Sequence, residues 1–322
     1  VSPWLQIMLN RSFFEGGTDL RFIKTLLSMI NWRQSWLLIP YFWFIIFLLA
    51  PLLIVLVISL SEPQLGSPPY TELFQWLSGR ILQIRLSFEN YMLVLSKRLY
   101  CNAYLNSLSI AFFSTVFCLL LGYPIAYGIT RASKRRRIVL MLLVILPFLT
   151  SFLVRMCAWI NILSYKGLIN YALSWVGIGP FQFIDTPFAV VIGMVYSYLP
   201  FMIFPLYASL EKIDSSLLEA AYDLGCKPWG AFWRIILPLS RSGIVAGASL
   251  VFIPAIGEYV IPDLLGGARC ITVGRLLWYE FFINHDWPTA CALALVMIAF
   301  LFIPIVVFEK IQTKLEKNLD RS

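Results

Sequence analysis

Charge is scarce in this sequence, and so are the side chains that carry chemistry. Of 322 residues only 13% are charged, while 60% are hydrophobic. That balance excludes an ordinary soluble domain, which could not hide so much apolar surface. There is one histidine, His285. With no Ser/His/Asp constellation and no GxSxG elbow, hydrolysis has almost nothing to work with, and the chain is not expected to be an enzyme. The six cysteines show neither CxxC nor Cys/His spacing, which argues against a metal site or a thioredoxin-like centre. No GxxxxGK[ST] occurs, so the chain does not bind ATP through a P-loop, and no cofactor is expected in it. The net charge is +8, but the basic residues cluster beside apolar runs, where they set membrane topology rather than bind nucleic acid.

Apolar length, by contrast, is abundant. About 20 apolar residues cross the roughly 30 Å hydrocarbon core of a bilayer. Six segments reach that length: 36–60, 104–129, 138–164, 188–210, 243–265 and 288–308. The expected fold class is therefore an all-α integral membrane protein with six transmembrane helices. Arg131, Lys134, Arg135, Arg136 and Arg137 form the strongest cytoplasmic marker. Arg11, Arg21, Lys24 and Arg33 place the N-terminus on that side, and Lys310, Lys314, Lys317 and Arg321 do the same for the C-terminus. Segments 61–103, 165–187 and 266–287 are then expected outside.

Three regions follow. Residues 1–34 form a cytoplasmic segment whose LRFIKTLLSMINW is either an interfacial helix or a disordered tail. Residues 35–310 form the transmembrane domain, and 311–322 a cytoplasmic tail. The first span is too long for a signal-peptide core and is read as a retained anchor. The opening on Val1 is expected to reflect processing or a non-standard start. Prolines recur within the spans, Pro147, Pro200, Pro254 and Pro262 among them, either as packed kinks or as hinges.

One polar interruption stands out between the fourth and fifth spans, EAAYDLGCKPWGAFWRIILP. Asp214 is a good N-cap for SSLLEAAYDL, and Gly225 easily takes the left-handed conformation past its end. Pro228 fits the first turn of a second helix, which Pro238 ends. Ala220 and Ala221 carry almost no side chain, so a partner surface can approach closely. Leu218 and Tyr222 form an apolar stripe beside them.

The fixed positions of this loop are Glu219-Ala220-Ala221, three residues, Gly225, nine residues, then Ile235-Ile236-Leu237-Pro238. This resembles the cytoplasmic EAA loop of bacterial ABC importer permeases. The resemblance implies a type I importer permease fold in which loop 211–240 is a coupling helix docked in a groove of the ATPase. Gly225 would make the turn, Ala220 and Ala221 the close contact, and Glu219 a charge partner, with Leu237 and Pro238 closing the motif. It further implies two ATP-binding subunits that hold ATP and Mg, a second homologous permease, a periplasmic or extracellular binding protein, surrounding membrane lipid, and the bacterial inner membrane as location.

The likeness continues through ILPFLTSFLVRMCAW, PFMIFPLYASLEKID and LVFIPAIGEYVIPDLLGG, which look like the permeases of polyamine importers of the putrescine and spermidine types. Import of a polyamine is what this resemblance implies. A permease for an anion or ferric iron is one alternative, and an ion-coupled secondary transporter another. Glu258 lies about 22 Å along the fifth span at 1.5 Å per residue, where a carboxylate is a functional-site hypothesis by default. Asp263 is nearer the mouth. Trp159, Tyr196, Tyr198 and Tyr259 fall in the same outer half, and aromatic faces with carboxylates suit a desolvated alkylammonium. Arg155, about 25 Å along the third span by the same count, comes out level with Glu258. Two readings stand side by side, substrate contact by Glu258 or its neutralisation by Arg155. The long segment 61–103 also has two: residues 70–82 receive the binding protein, or they form an amphipathic helix on the membrane.

Overall fold

The computed structural model describes residues 40–64, 66–71, 74–77, 81–84, 86–268 and 270–319. The expected segment 1–34 lies outside the described residues. The chain divides into two units, Val1–Ile54 and Val55–Ser322. Helix α1, Pro40–Ser59, starts in the first. Its Phe42, Trp43, Phe47 and Leu53 are all exposed, as in a helix that is apolar all round and meets lipid.

In the second unit, β1 (Phe74–Leu77) and β2 (Ile81–Ile84) pair antiparallel, with Phe74 opposite Ile84 and Leu77 opposite Ile81. Where it is described, the region read from sequence as a receiving segment or an amphipathic helix is thus a short hairpin. Helix α2, Glu89–Ser96, follows. Its Asn90 amide donates to the carbonyls of Ser59 and Ser61 at 3.0 and 2.8 Å, satisfying backbone acceptors where α1 ends.

The remaining helices are α3 (Arg98–Arg131), α4 (Lys134–Ile145), α5 (Phe152–Leu163), α6 (Leu168–Ser174), α7 (Pro187–Glu211), α8 (Ser215–Asp223), α9 (Pro228–Leu239), α10 (Arg241–Gly257), α11 (Val260–Leu265), α12 (Val273–Trp278) and α13 (Trp287–Leu319). Among the described residues five segments are long and apolar enough to cross a membrane. A sixth is added if α9 and α10, bent by 64°, count as one span. The helical membrane fold expected from the sequence is present, but two of its spans are not continuous. The third breaks after α4, where Pro147 sits in a 3-10 turn, Leu146–Leu149, and Thr150 is extended. The fifth breaks at Glu258 and Tyr259. At the C-terminal end α13 continues through residue 311 to Leu319.

Helices α3, α7 and α10 pack on one another. On α3 the buried positions Ala103, Ser107, Ala111, Ser114, Cys118, Gly122 and Ala126 recur every three or four residues, a stripe of small side chains. Such stripes let helices approach closely where lipid offers no hydrophobic drive for association. The α7–α10 contact uses the same device. A Cβ at Gly243 would fall 2.7 Å from the Pro205 carbonyl oxygen, and one at Gly247 2.7 Å from Met202 sulfur. The apolar interior has two main parts. One, with Met202, Leu206, Leu210, Leu218 and Ile236, lies toward the α8–α9 loop. The other, with Met156, Val190, Met194, Ile256, Ile261 and Leu265, surrounds the break before α11.

Candidate functional site

Helix α8 forms as its capping residues dictate. The Asp214 carboxylate accepts the Ser216 N–H at 3.0 Å, and that bond holds its carboxyl below the usual carboxylate value. At the other end Gly225 has φ +80°. The Gly225 N–H donates to Tyr222 O and the Cys226 N–H to Ala221 O, both at 2.9 Å. This is a Schellman ending, in which both orphan carbonyls find donors. Pro228 then opens α9.

The turn of α8 divides the residues singled out from its sequence. Leu218 and Ala221 face inward and are buried, whereas Glu219, Ala220 and Tyr222 are exposed. The outward face also carries Leu217, half exposed, and Leu224, 89% exposed. These two apolar side chains escaped the sequence reading, although their spacing of seven, flanking the buried Ala221, was visible. Leu237 and Pro238 are half-buried in the last turn of α9. Beside α8, Arg137 ties three helices together. It donates to Glu211 Oε1 at 2.5 Å, to Thr130 O at 2.9 Å and to Tyr207 OH at 3.4 Å. A cavity of about 320 Å³ between this cluster and α8 is lined by Tyr127, Arg131, Glu211, Asp214 and Leu218.

The second candidate region is the break in the fifth span. In an uninterrupted helix residue 262 would donate to the carbonyl of Glu258, but Pro262 has no N–H and its ring would clash there. The chain therefore leaves the helix at Glu258, with φ −63° and ψ 132°, and re-enters it at Val260. The Glu258 carboxylate accepts the Val260 N–H at 3.0 Å and the Tyr198 hydroxyl at 2.6 Å. Asp263 is paired with Arg275 at 2.9 Å, and Arg275 also donates to Gly267 O. Helix α12 closes over the break. A Cβ at Gly274 would lie 2.5 Å from Gly257 O and 2.9 Å from Glu258 O.

Of the aromatic residues read as part of the path, Tyr259 stacks on Trp278 with centroids 4.7 Å apart, beside the break. Trp159 and Tyr196 form a separate edge-on pair at 5.5 Å. Tyr196 lines a groove with Pro124, Pro147 and Pro200 instead. Tyr198, two residues on and so on nearly the opposite side of the helix, is the one that reaches Glu258.

Arg155 does not neutralise Glu258: among the described residues no ion pair includes it. The expectation that the two are level counted along an unbroken third span, and the turn at Pro147 removes that premise. The Arg155 guanidinium lies 5.5 Å and 5.7 Å from the ring centres of Phe148 and Phe152. Its Nε is buried with no acceptor, and an unpaired cation at membrane depth costs about 3 kcal/mol on insertion scales.

The family described as binding-protein-dependent transport system inner membrane component matches residues 106–321. A spermidine/putrescine transport system permease protein PotB of Haemophilus influenzae is 37% identical over 284 residues, 88% of this chain and 94% of that protein. Its counterpart in Escherichia coli K12 is 39% identical over 236 residues, 73% and 86% of the two chains. Among solved structures, a bacterial ABC transporter involved in import of the acidic polysaccharide alginate aligns over 91% of this chain and 99% of its own. The TM-score is 0.67 and the identity 18%. The MetNI methionine ABC transporter covers 67% and 96%, with TM-score 0.52 and identity 17%. At such identities the structures speak for the fold alone, that of ABC importer permeases.

Proposed function

The chain belongs to the binding-protein-dependent transport system inner membrane component family, and we propose that it forms part of the translocation path of an ATP-driven importer of spermidine, putrescine or both. One observation carries this reading: 37% identity to a spermidine/putrescine permease across 94% of that protein's length. The chain is a transport subunit rather than an enzyme. With no P-loop in the sequence, ATP and Mg belong to a separate ATPase, two copies of which would sit under this permease and a second one like it. A soluble polyamine-binding protein would deliver substrate at the opposite face, in a complex held in the bacterial inner membrane. Both termini and the α8–α9 loop would be cytoplasmic, as the basic tract 131–137 favours.

In this reading α8 is the coupling helix. The Schellman turn at Gly225 gives it a fixed end, and Leu217, Ala220, Tyr222 and Leu224 supply the outward face that an ATPase groove would take. Rigid ends matter because a helix that slid in its groove would absorb the stroke. The break at Glu258 is the substrate region. A polyamine carries separated ammonium groups on an alkyl chain, and Glu258, Asp263 and the Tyr259–Trp278 stack offer carboxylates beside an aromatic surface. Both carboxylates already have partners here, so substrate would exchange with the Tyr198 hydroxyl and the Arg275 guanidinium rather than fill vacant acceptors.

The test is uptake of labelled putrescine and spermidine in cells without their own importers, given this chain and its partner subunits, with a working or an inactivated ATPase. ATPase-dependent uptake is expected. Uptake that persists with the inactive ATPase would point to an ion-coupled transporter. A complex that assembles but imports neither solute would return the substrate to the anion or ferric-iron class.

A further inference from the structure

Glu280 belongs to no motif in the sequence, yet it is a carboxylate only 9% exposed. Among the described residues no cation pairs with it. Its two oxygens accept instead from neutral donors, the Tyr100 hydroxyl and the Asn284 amide, each at 2.8 Å. A buried charge held only by neutral groups is costly, and an apolar side chain would fill the place more easily. What the carboxylate does is join two distant stretches of chain. Tyr100 lies in the first turn of α3. Glu280 lies in the wide turn Tyr279–Ile283 that follows α12, and such turns are frequent at functional sites. The other end of α12 is fastened to the same helix: the Val273 N–H donates to the Ser107 hydroxyl at 2.9 Å, and the Asn106 amide to Ile271 O at 3.2 Å. Helix α12 is thus clamped to α3 at both ends. Between the clamps it carries Gly274 and Arg275, which close over the break and hold Asp263, and Trp278, which stacks on Tyr259. Two residues apart, Trp278 and Glu280 point to nearly opposite sides. One presents its ring at the break while the other fastens the back.

We propose that Glu280 is a positioning residue for solute binding: by accepting from Tyr100 it holds α12 against α3, and through α12 it sets the Trp278 ring on Tyr259. This rests on reading the break at Glu258 as the substrate region. Glu280 itself touches no solute. Without the tie, α12 swings on its remaining attachment at Ser107, Trp278 leaves Tyr259, and an ammonium group loses the aromatic surface it would bind. A carboxylate suits this task because a hydrogen bond to an ionised acceptor is about twice as strong as one between neutral groups.

The experiment uses the whole complex in vesicles, with labelled putrescine as the solute. Tyr100→Phe removes one donor and should raise KM for uptake about fivefold, with the maximal rate changed by less than about twofold. Glu280→Ala should raise KM about tenfold, and Glu280→Gln, which still accepts from Tyr100, should restore most of that loss. Trp278→Ala should raise KM by itself, and adding Tyr100→Phe to it should raise KM no further, because the tie acts through that ring. A bond that served folding alone would lower the maximal rate together with the amount of inserted complex, and its effect would add to that of Trp278→Ala. Unchanged KM in Tyr100→Phe, or full additivity with Trp278→Ala, would overturn the proposal. If Glu280→Ala fails to insert, Tyr100→Phe alone and combined with Trp278→Ala decide the matter. Hydrogen exchange at amides 273–278, read on the same complexes, should be faster in Tyr100→Phe than in wild type, and equal exchange would also overturn the tie. Wild-type complex that assembles without polyamine uptake would count against the proposed substrate, and the exchange result would then decide the tie by itself.

Discussion

Two interruptions of apolar helix carry the account, and they are built in opposite ways. The α8–α9 loop is held by neighbours in sequence: Asp214 on Ser216, Gly225 on Tyr222, and Pro228 at the first turn of the next helix. The break at Glu258 has one local bond, from the Val260 N–H, and is otherwise held from far away, by Tyr198 on α7 and by α12, whose Gly274 and Arg275 close over it. A structure made of local bonds moves as one piece, which suits transmission of a stroke. One assembled from four separate helices changes when those helices shift, which suits a site that must open and close around a solute.

The largest effect is expected at the loop. Gly225→Val puts a β-branched side chain at φ +80°, a conformation it strongly resists. Uptake should fall to background with the spans still inserted, and normal uptake would remove the coupling argument. At the break, Glu258→Gln keeps an oxygen for the Val260 N–H and turns its amide N–H toward the Tyr198 oxygen, so what the change removes is the charge of the carboxylate. Uptake should drop about tenfold, with complex recovery unchanged, given about 1.5–3 kcal/mol for interactions with a charged group. Tyr198→Phe removes a single bond and should cost less, about fivefold or below. If Tyr198→Phe proved worse than Glu258→Gln, the hydroxyl rather than the carboxylate would be the working group.

Smaller effects should mark the edge of the loop. Arg137→Met cuts the tie among α3, α4 and α7. Its ion pair with Glu211 is partly exposed, which limits the loss to a few-fold in uptake. ATP hydrolysis measured alongside should fall less than uptake if the tie serves coupling. Smallest of all, Asp214→Asn preserves the cap and should leave uptake unchanged, while Asp214→Ala should weaken it slightly. Because the folded Asp214 carboxyl titrates below its ordinary value of 3.8, the stabilisation from its cap is present above that value. It is lost as pH falls through the folded pKa, so uptake between pH 5 and 8 should show no step from this group.

The same contrast explains what the sequence could reveal. Apolar length announced the membrane fold, and the loop was legible nearly residue by residue, since caps, glycine turns and prolines act within a few positions. Even there, the split of Ala220 outward and Ala221 inward needed the helix to be docked. The break was only half legible. Glu258 and Asp263 stood out as charges in an apolar span, but nothing local said that Arg275 holds Asp263. Tyr196 and Tyr198 looked alike on paper, and only the facing of α7 separates them. The pairing of Arg155 with Glu258 could not be decided from a count along the third span, because Pro147 announces a kink without saying where the helix restarts.

In the proposed importer the loop carries the ATPase stroke and the break handles the solute. ATP hydrolysis and polyamine uptake measured together, in vesicles containing the reconstituted complex and its binding protein, for wild type, Gly225→Val and Glu258→Gln, separate the two roles. Gly225→Val is expected to lose both activities in concert, whereas Glu258→Gln keeps hydrolysis stimulated by the binding protein and loses uptake. Equal loss of both activities in both variants would contradict the division of labour between the two regions.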